Sequence, residues 1–214
     1  MSFSLNETEA TGKKAARGVG YSWGMAEEAG KAVRWLSAHG LDGPKALALV
    51  LENADGSDLA TMTPTSLQGD WRAEGGVLCP LIAGAALADS ASLWGKNGLL
   101  LNNVNVPVTV LPFAAQAARR LGVAVTVGWE GASAVIDGAG LSLTSSNAES
   151  LLTLAANIQI KIGGQLGPRL PTQHRATLAP GDWRILTRFA ARTYAPATEE
   201  SRLKGAGAGL SDND

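Results

Sequence analysis

The chain has 214 residues, 45% hydrophobic and 17% charged, with a formal net charge of −1; that is ample for one domain without disulfide or metal staples. The near-neutral charge excludes the basic footprint of a nucleic-acid binder, and no basic patch with interleaved aromatics occurs. A single cysteine, a polar N-terminus (MSFSLNETEATGKK) and the lack of any long apolar run exclude an intrachain disulfide, a signal peptide and a membrane span, so a cytoplasmic protein is expected.

Taken in chain order, Ser4 stands three residues before Glu7, the spacing of a helix-capping box. The helix it opens places Leu5, Thr8, Gly12, Ala15, Ala16 and Val19 on one face, and Gly18 and Gly20 stop it. Ser22 caps a second helix with Trp23, Ala26, Ala29, Gly30, Val33 and Leu36 buried. Asp42-Gly43-Pro44 opens a third, with proline in the tolerated first position. Residues 1–56 are therefore read as a three-helix unit.

Residues 57–76 are polar and carry no period. Val77 to Ile82 is a short apolar run read as a buried strand, pushed towards an edge by Pro80. A helix of small residues, Gly84 to Trp94, follows. From Val104 to Leu111 the alternating valines favour an edge strand. The alternative puts Asn105 at a cap and Pro107 at the first position of one long kinked helix running to Leu121. Phe113, Ala114, Ala117, Ala118 and Leu121 share a helical face, Arg119 and Arg120 lie on the wet side, and Gly122 is a left-handed cap.

Val123 to Trp129 and Ala132 to Asp137 form a hairpin, and Leu141 to Leu143 adds a third strand. Ser146 or Asn147 is expected to cap a helix to Ile162 through Leu151, Leu154, Ala155 and Ile158. A Gly/Pro-rich loop over 163–181 leads to a last helix from about Asp182 to Tyr194. The fold class is α+β: a small, mainly antiparallel sheet covered by N-terminal and C-terminal helices. It forms a single domain with an α+β core over 76–195 and a glycine-rich tail over 205–214.

Three blocks, SLNETEATGKKAARGVGYSWGMAEEAGKAVRWL, LCPLIAGAALAD and RTYAPATEESRLKGAGAGLSDND, resemble an uncharacterised proteobacterial family of unknown function. The resemblance extends along the chain and implies one shared architecture. It brings no catalytic residue, substrate or cofactor with it, so the chemistry rests on the residues themselves.

Cys79 is a candidate nucleophile if a histidine lowers its pKa, with His174 the candidate partner; a small apolar residue in the core is the plainer reading. The glycines of 18–24 suggest an anion-cradling loop with Arg17 as charge partner. A dinucleotide fingerprint would need a strand before them, and a tight helical corner explains them too. Arg192, Arg202 and Asp214 are further candidate ligand-binding residues, the last two in a tail able to dock on a neighbouring subunit. One cysteine and two distant histidines cannot close a zinc site. Two functions follow as expectations: binding, with or without turnover, of a small anionic metabolite, or a non-catalytic assembly role in a homo-oligomer or complex through the tail. No cofactor is specified.

Overall fold

The computed structural model describes residues 1–95 and 98–194; Arg202, Asp214 and the tail over 205–214 lie outside the described residues. Strand β1 (Ser2–Ser4) runs directly into α1 (Leu5–Val19), followed by α2 (Trp23–Ala38) and α3 (Gly43–Ala54). Their starts follow the local chemistry. Ser4 accepts from the Glu7 N–H, Ser22 from Met25 and Asp42 from Lys45, each filling an orphan donor of a first turn. Gly20 ends α1 at φ 117°, a conformation that a side chain would oppose.

Beyond α3 come the two-residue strand β2 (Asp70–Trp71), α4 (Pro80–Asp89) and β3 (Leu99–Val104). The chain continues through α5 (Leu111–Leu121), β4 (Val125–Trp129), β5 (Ala132–Ile136) and β6 (Leu141–Ser145). It closes with β7 (Ala155–Ile162), β8 (Arg175–Thr177) and α6 (Pro180–Ala191). Six strands form one sheet in the order β2-β3-β7-β4-β5-β6, parallel only between β2 and β3, and β1 pairs with β8 in a second, two-stranded sheet. The architecture is α+β, a mainly antiparallel sheet with flanking helices.

One face of the sheet is apolar. Leu101, Val125, Val127, Ala134, Ile136, Ile158 and Ile160 are all buried there, and α5 packs on β4 and β5. α4 and α2 pack on α5, while α6 closes over α1 and α3. The opposite face carries Thr126, Gly128, Ser133, Gln159 and Lys161 and stays wet.

Four expectations are corrected. Val77 to Ile82 is not a strand: Leu78 makes one parallel bridge to Val104, and Pro80 then starts α4, where its missing N–H costs nothing. Val104 to Leu111 is not an edge strand: β3 ends at Val104, and Pro107–Val110 is a 3-10 turn leading into α5, close to the alternative helical reading. The stretch to Ile162 is not a helix. It is β7, the strand between β3 and β4, with Ala155, Ile158 and Ile160 inward and Leu154 and Ile162 exposed. Trp23 is not buried; it stands 61% exposed, with the Arg17 guanidinium over its ring.

Candidate functional site

Two helical stripes meet in a groove of about 330 Å³. α2 contributes Lys31, Arg34, Trp35 and Ala38, and α5 contributes Pro112, Gln116 and Arg119. Within each helix these residues are spaced by three, four and seven, which stacks them on one side of successive turns. The helices bury their other faces, through Ala29, Val33 and Leu36 on α2 and Phe113, Ala117 and Ala118 on α5, so the polar stripes are left facing the groove.

The groove is a network of charge. Lys31 Nζ lies 2.7 Å from Glu28 Oε1, and Gln116 Nε2 donates to Glu28 Oε2 at 3.1 Å, which ties α5 to α2. The hydrogen bond from Lys31 to Glu28 raises the lysine pKa, so the ammonium stays charged. Arg34 reaches Glu9 at 3.1 Å and also donates to Asn6 on α1. Arg119 differs from both. Its Nε makes a long contact of 3.5 Å to the Ala115 carbonyl, and among the described residues no carboxylate lies within ion-pair distance. Three cations against the two carboxylates Glu28 and Glu9 leave one positive charge unmatched. Trp35 forms the aromatic wall, its ring held from behind by His39 at 4.0 Å between centroids, with His39 Nδ1 2.8 Å from the Trp35 carbonyl.

The residues singled out in the sequence do not gather in one place. Cys79 is fully buried at the start of α4, its Sγ 3.1 Å from the Tyr21 hydroxyl. Burial pushes the thiol pKa up, and burial beside Cys79 pushes the Tyr21 hydroxyl up as well, so both are neutral packing groups. His174 is exposed in the segment before β8 and makes no hydrogen bond to Cys79, so no Cys–His pair forms. Removing the hydroxyl by Tyr21→Phe leaves a buried thiol with no oxygen partner and is expected to cost about 1 kcal/mol. Denaturant unfolding measures this. The thiol in that variant should stay inert to alkylation under native conditions; rapid alkylation would show a reactive nucleophile instead.

Arg17 holds the corner after α1, donating to the Tyr21 carbonyl at 2.8 Å with its guanidinium 5.1 Å from the Trp23 ring centroid. The glycines of that corner serve packing: a Cβ on Gly18 would lie 1.9 Å from the Phe189 carbonyl oxygen of α6. Arg192 is bidentate to Asp55 at 2.5 and 2.9 Å and packs over Phe189. That pair holds the Asp55 carboxyl below its ordinary range and the Arg192 guanidinium above its own. Among the described residues no group of three His, Cys, Asp or Glu side chains is placed to hold a metal, and no helix is long and apolar enough to cross a membrane.

The groove has no compact signal in the sequence. Arg119 reads there only as part of the wet face of its own helix, and the charged stripe on α2 lies some eighty residues upstream.

Comparison with known proteins adds little chemistry. Nothing among curated proteins matches the chain. The crystal structure of malate dehydrogenase from Entamoeba histolytica is similar over 68% of this chain and 48% of that one, at 12% identity and a TM-score of 0.48. The chain thus spans about half the length of that structure. Residues 3–79, from β1 to the start of α4, match the model of a family described as "Protein of unknown function (DUF3726)", which marks a domain of unknown function there.

Proposed function

We propose that the protein binds a small anionic metabolite in the groove between α2 and α5. The observation that carries this is Arg119, a cation with no carboxylate partner among the described residues, facing a hollow it shares with Lys31, Arg34 and the Trp35 ring. A guanidinium suits a carboxylate or phosphate through two parallel hydrogen bonds. Gln116 has its amide N–H on Glu28, so its carbonyl oxygen remains to accept from a ligand hydroxyl. The indole offers a flat apolar surface to the body of the molecule. Among the described residues lining the groove there is no thiol, hydroxyl or imidazole. The groove is therefore read as a binding site.

A thermal-shift screen of the full chain against aromatic carboxylates, di- and tricarboxylates and sugar phosphates tests this. A specific ligand at a hundred times its dissociation constant adds about 2.7 kcal/mol to folding. Arg119→Ala, an exposed substitution, should leave the unliganded melting temperature within about 1 °C and weaken binding at least tenfold. A hit unaffected by Arg119→Ala and Arg34→Ala, or no hit in the whole set, would reject the groove as the anion site.

A further inference from the structure

The turn between α2 and α3 separates two hollows that share Gly40, Leu41 and Asp42. One, of about 250 Å³, is apolar, walled by Leu36, Leu41, Val108, Leu151 and Leu152, with exposed Ala148 and Lys45 also lining it. The other, of about 360 Å³, is polar and lined by Ser37, Gln173, Arg175 and Thr177 as well. A molecule lying across Leu41 and Asp42 would place one end in each.

The charges on either side have opposite signs and spare capacity. Asp42 uses one carboxylate oxygen on the Lys45 N–H at 3.2 Å; its other oxygen has no hydrogen-bond donor among the described residues. Burial raises the Asp42 pKa and the like charge of Asp182 on α6 adds to it, against the Lys45 N–H and the Lys45 ammonium, which lower it. Arg175 commits Nε and Nη2 to Ser2, at 2.9 and 3.0 Å, and its remaining Nη1 is a donor for an anion. His174 sits between two of the lining residues, Gln173 and Arg175.

The apolar wall is also held at a cost. Val108 follows Val106, a β-branched residue at φ 45°, and such left-handed strain persists only where the surroundings enforce it. Asn105 Oδ1 and Thr109 Oγ1, next in the chain to Val106 and Val108, are buried with no hydrogen-bond partner among the described residues.

We propose that this paired hollow binds a free amino acid with an apolar side chain of leucine or phenylalanine size. Its ammonium meets Asp42, its carboxylate meets Arg175, and its side chain enters the hollow beside Val108. The acid and the base that share this lining match the two ligand charges, and the leucines match the apolar group.

Calorimetric titration of the full chain with L-leucine and L-phenylalanine is the test. Glycine, 4-methylpentanoate and isoamylamine serve as controls lacking the side chain, the ammonium and the carboxylate. Leucine or phenylalanine should bind saturably and each control at least about tenfold more weakly, because an ion pair or the filling of the apolar hollow is then lost. Asp42→Asn keeps a residue that caps α3 and should lose about tenfold in affinity. Ala148→Trp, at an exposed position, should block the apolar hollow and abolish binding. Arg119→Ala should leave the affinity unchanged, which separates this site from the α2–α5 groove. Absence of binding by either amino acid at millimolar concentration overturns the proposal. So does an affinity that survives both Asp42→Asn and Ala148→Trp, or one lost on Arg119→Ala.

Discussion

Replacing Gly18 by alanine is expected to destabilise the protein by about 3 kcal/mol, beyond the middle of the range for overpacked cores. The added Cβ would lie 1.9 Å from the Phe189 carbonyl oxygen and 2.9 Å from its carbonyl carbon. These are backbone atoms, so no rotamer change relieves the clash, and α1 and α6 must move apart. The movement would disturb Phe189, Leu186 and Ala190, all buried on α6. Alanine favours helix over glycine by about 1 kcal/mol, which offsets only part of the cost. For a chain of this size the net loss corresponds to a fall in melting temperature of roughly 6–12 °C. Gly24→Ala provides the control. Beyond its chain neighbours and its own helical turn, no heavy atom of the described residues lies within 4 Å of the place its new Cβ would take, so that variant should melt at or slightly above the parent temperature. If Gly18→Ala melts with the parent, α1 and α6 do not pack as described.

The second large effect is expected at Phe113. Its ring is fully buried at the start of α5 and packs into the space left by Gly84 of α4, where a Cβ would come within 2.3 Å of the ring. Phe113→Ala should cost about 4 kcal/mol, the transfer of a phenyl ring plus the cavity it leaves. Gly84→Ala alone should cost about 2 kcal/mol by overpacking. In the Phe113→Ala background the same glycine change should turn neutral or stabilising, because the new methyl enters an empty space and the helix gains a better former. Urea unfolding of the four proteins gives the coupling directly. Additive losses would mean that Gly84 and Phe113 are not in contact.

What can be read from the sequence is what neighbours within a few residues control. Ser4, Ser22 and Asp42 each cap a helix whose first-turn N–H groups lie two or three residues away, and these three starts are where the spacing puts them. Gly122 ends α5 in the left-handed conformation for an equally local reason. The meander of β4, β5 and β6 follows from alternation and short turns. β7 lacks such a guide. Leu151, Leu154, Ala155, Ile158 and Ile162 fit a helical period, while Ala155, Ile158 and Ile160 prove to be the inward residues. Its strand state is stabilised by β3 on one side and β4 on the other, partners that local spacing does not include.

Proline is ambiguous for a similar reason. Pro80 and Pro107 each fit an edge strand or a first helical turn, and the choice falls to what packs against them: α4 and α5 bury small faces on each other, with the ring of Phe113 set against Gly84. Cys79 reads alike as nucleophile or filler until its surroundings are known. Full burial against Tyr21 decides for filler.

By itself, then, the sequence determined three helix starts, the hairpin meander and the α+β class. Each depends on composition or on contacts spanning a turn or two. The tertiary structure alone decided the central strand of the sheet, the exposure of Trp23 and the burial of Cys79. It also decided the meeting of Lys31, Arg34 and Trp35 with Gln116 and Arg119 across eighty residues. These depend on which distant surfaces exclude water from each other, and that balance is struck only when the whole chain is packed.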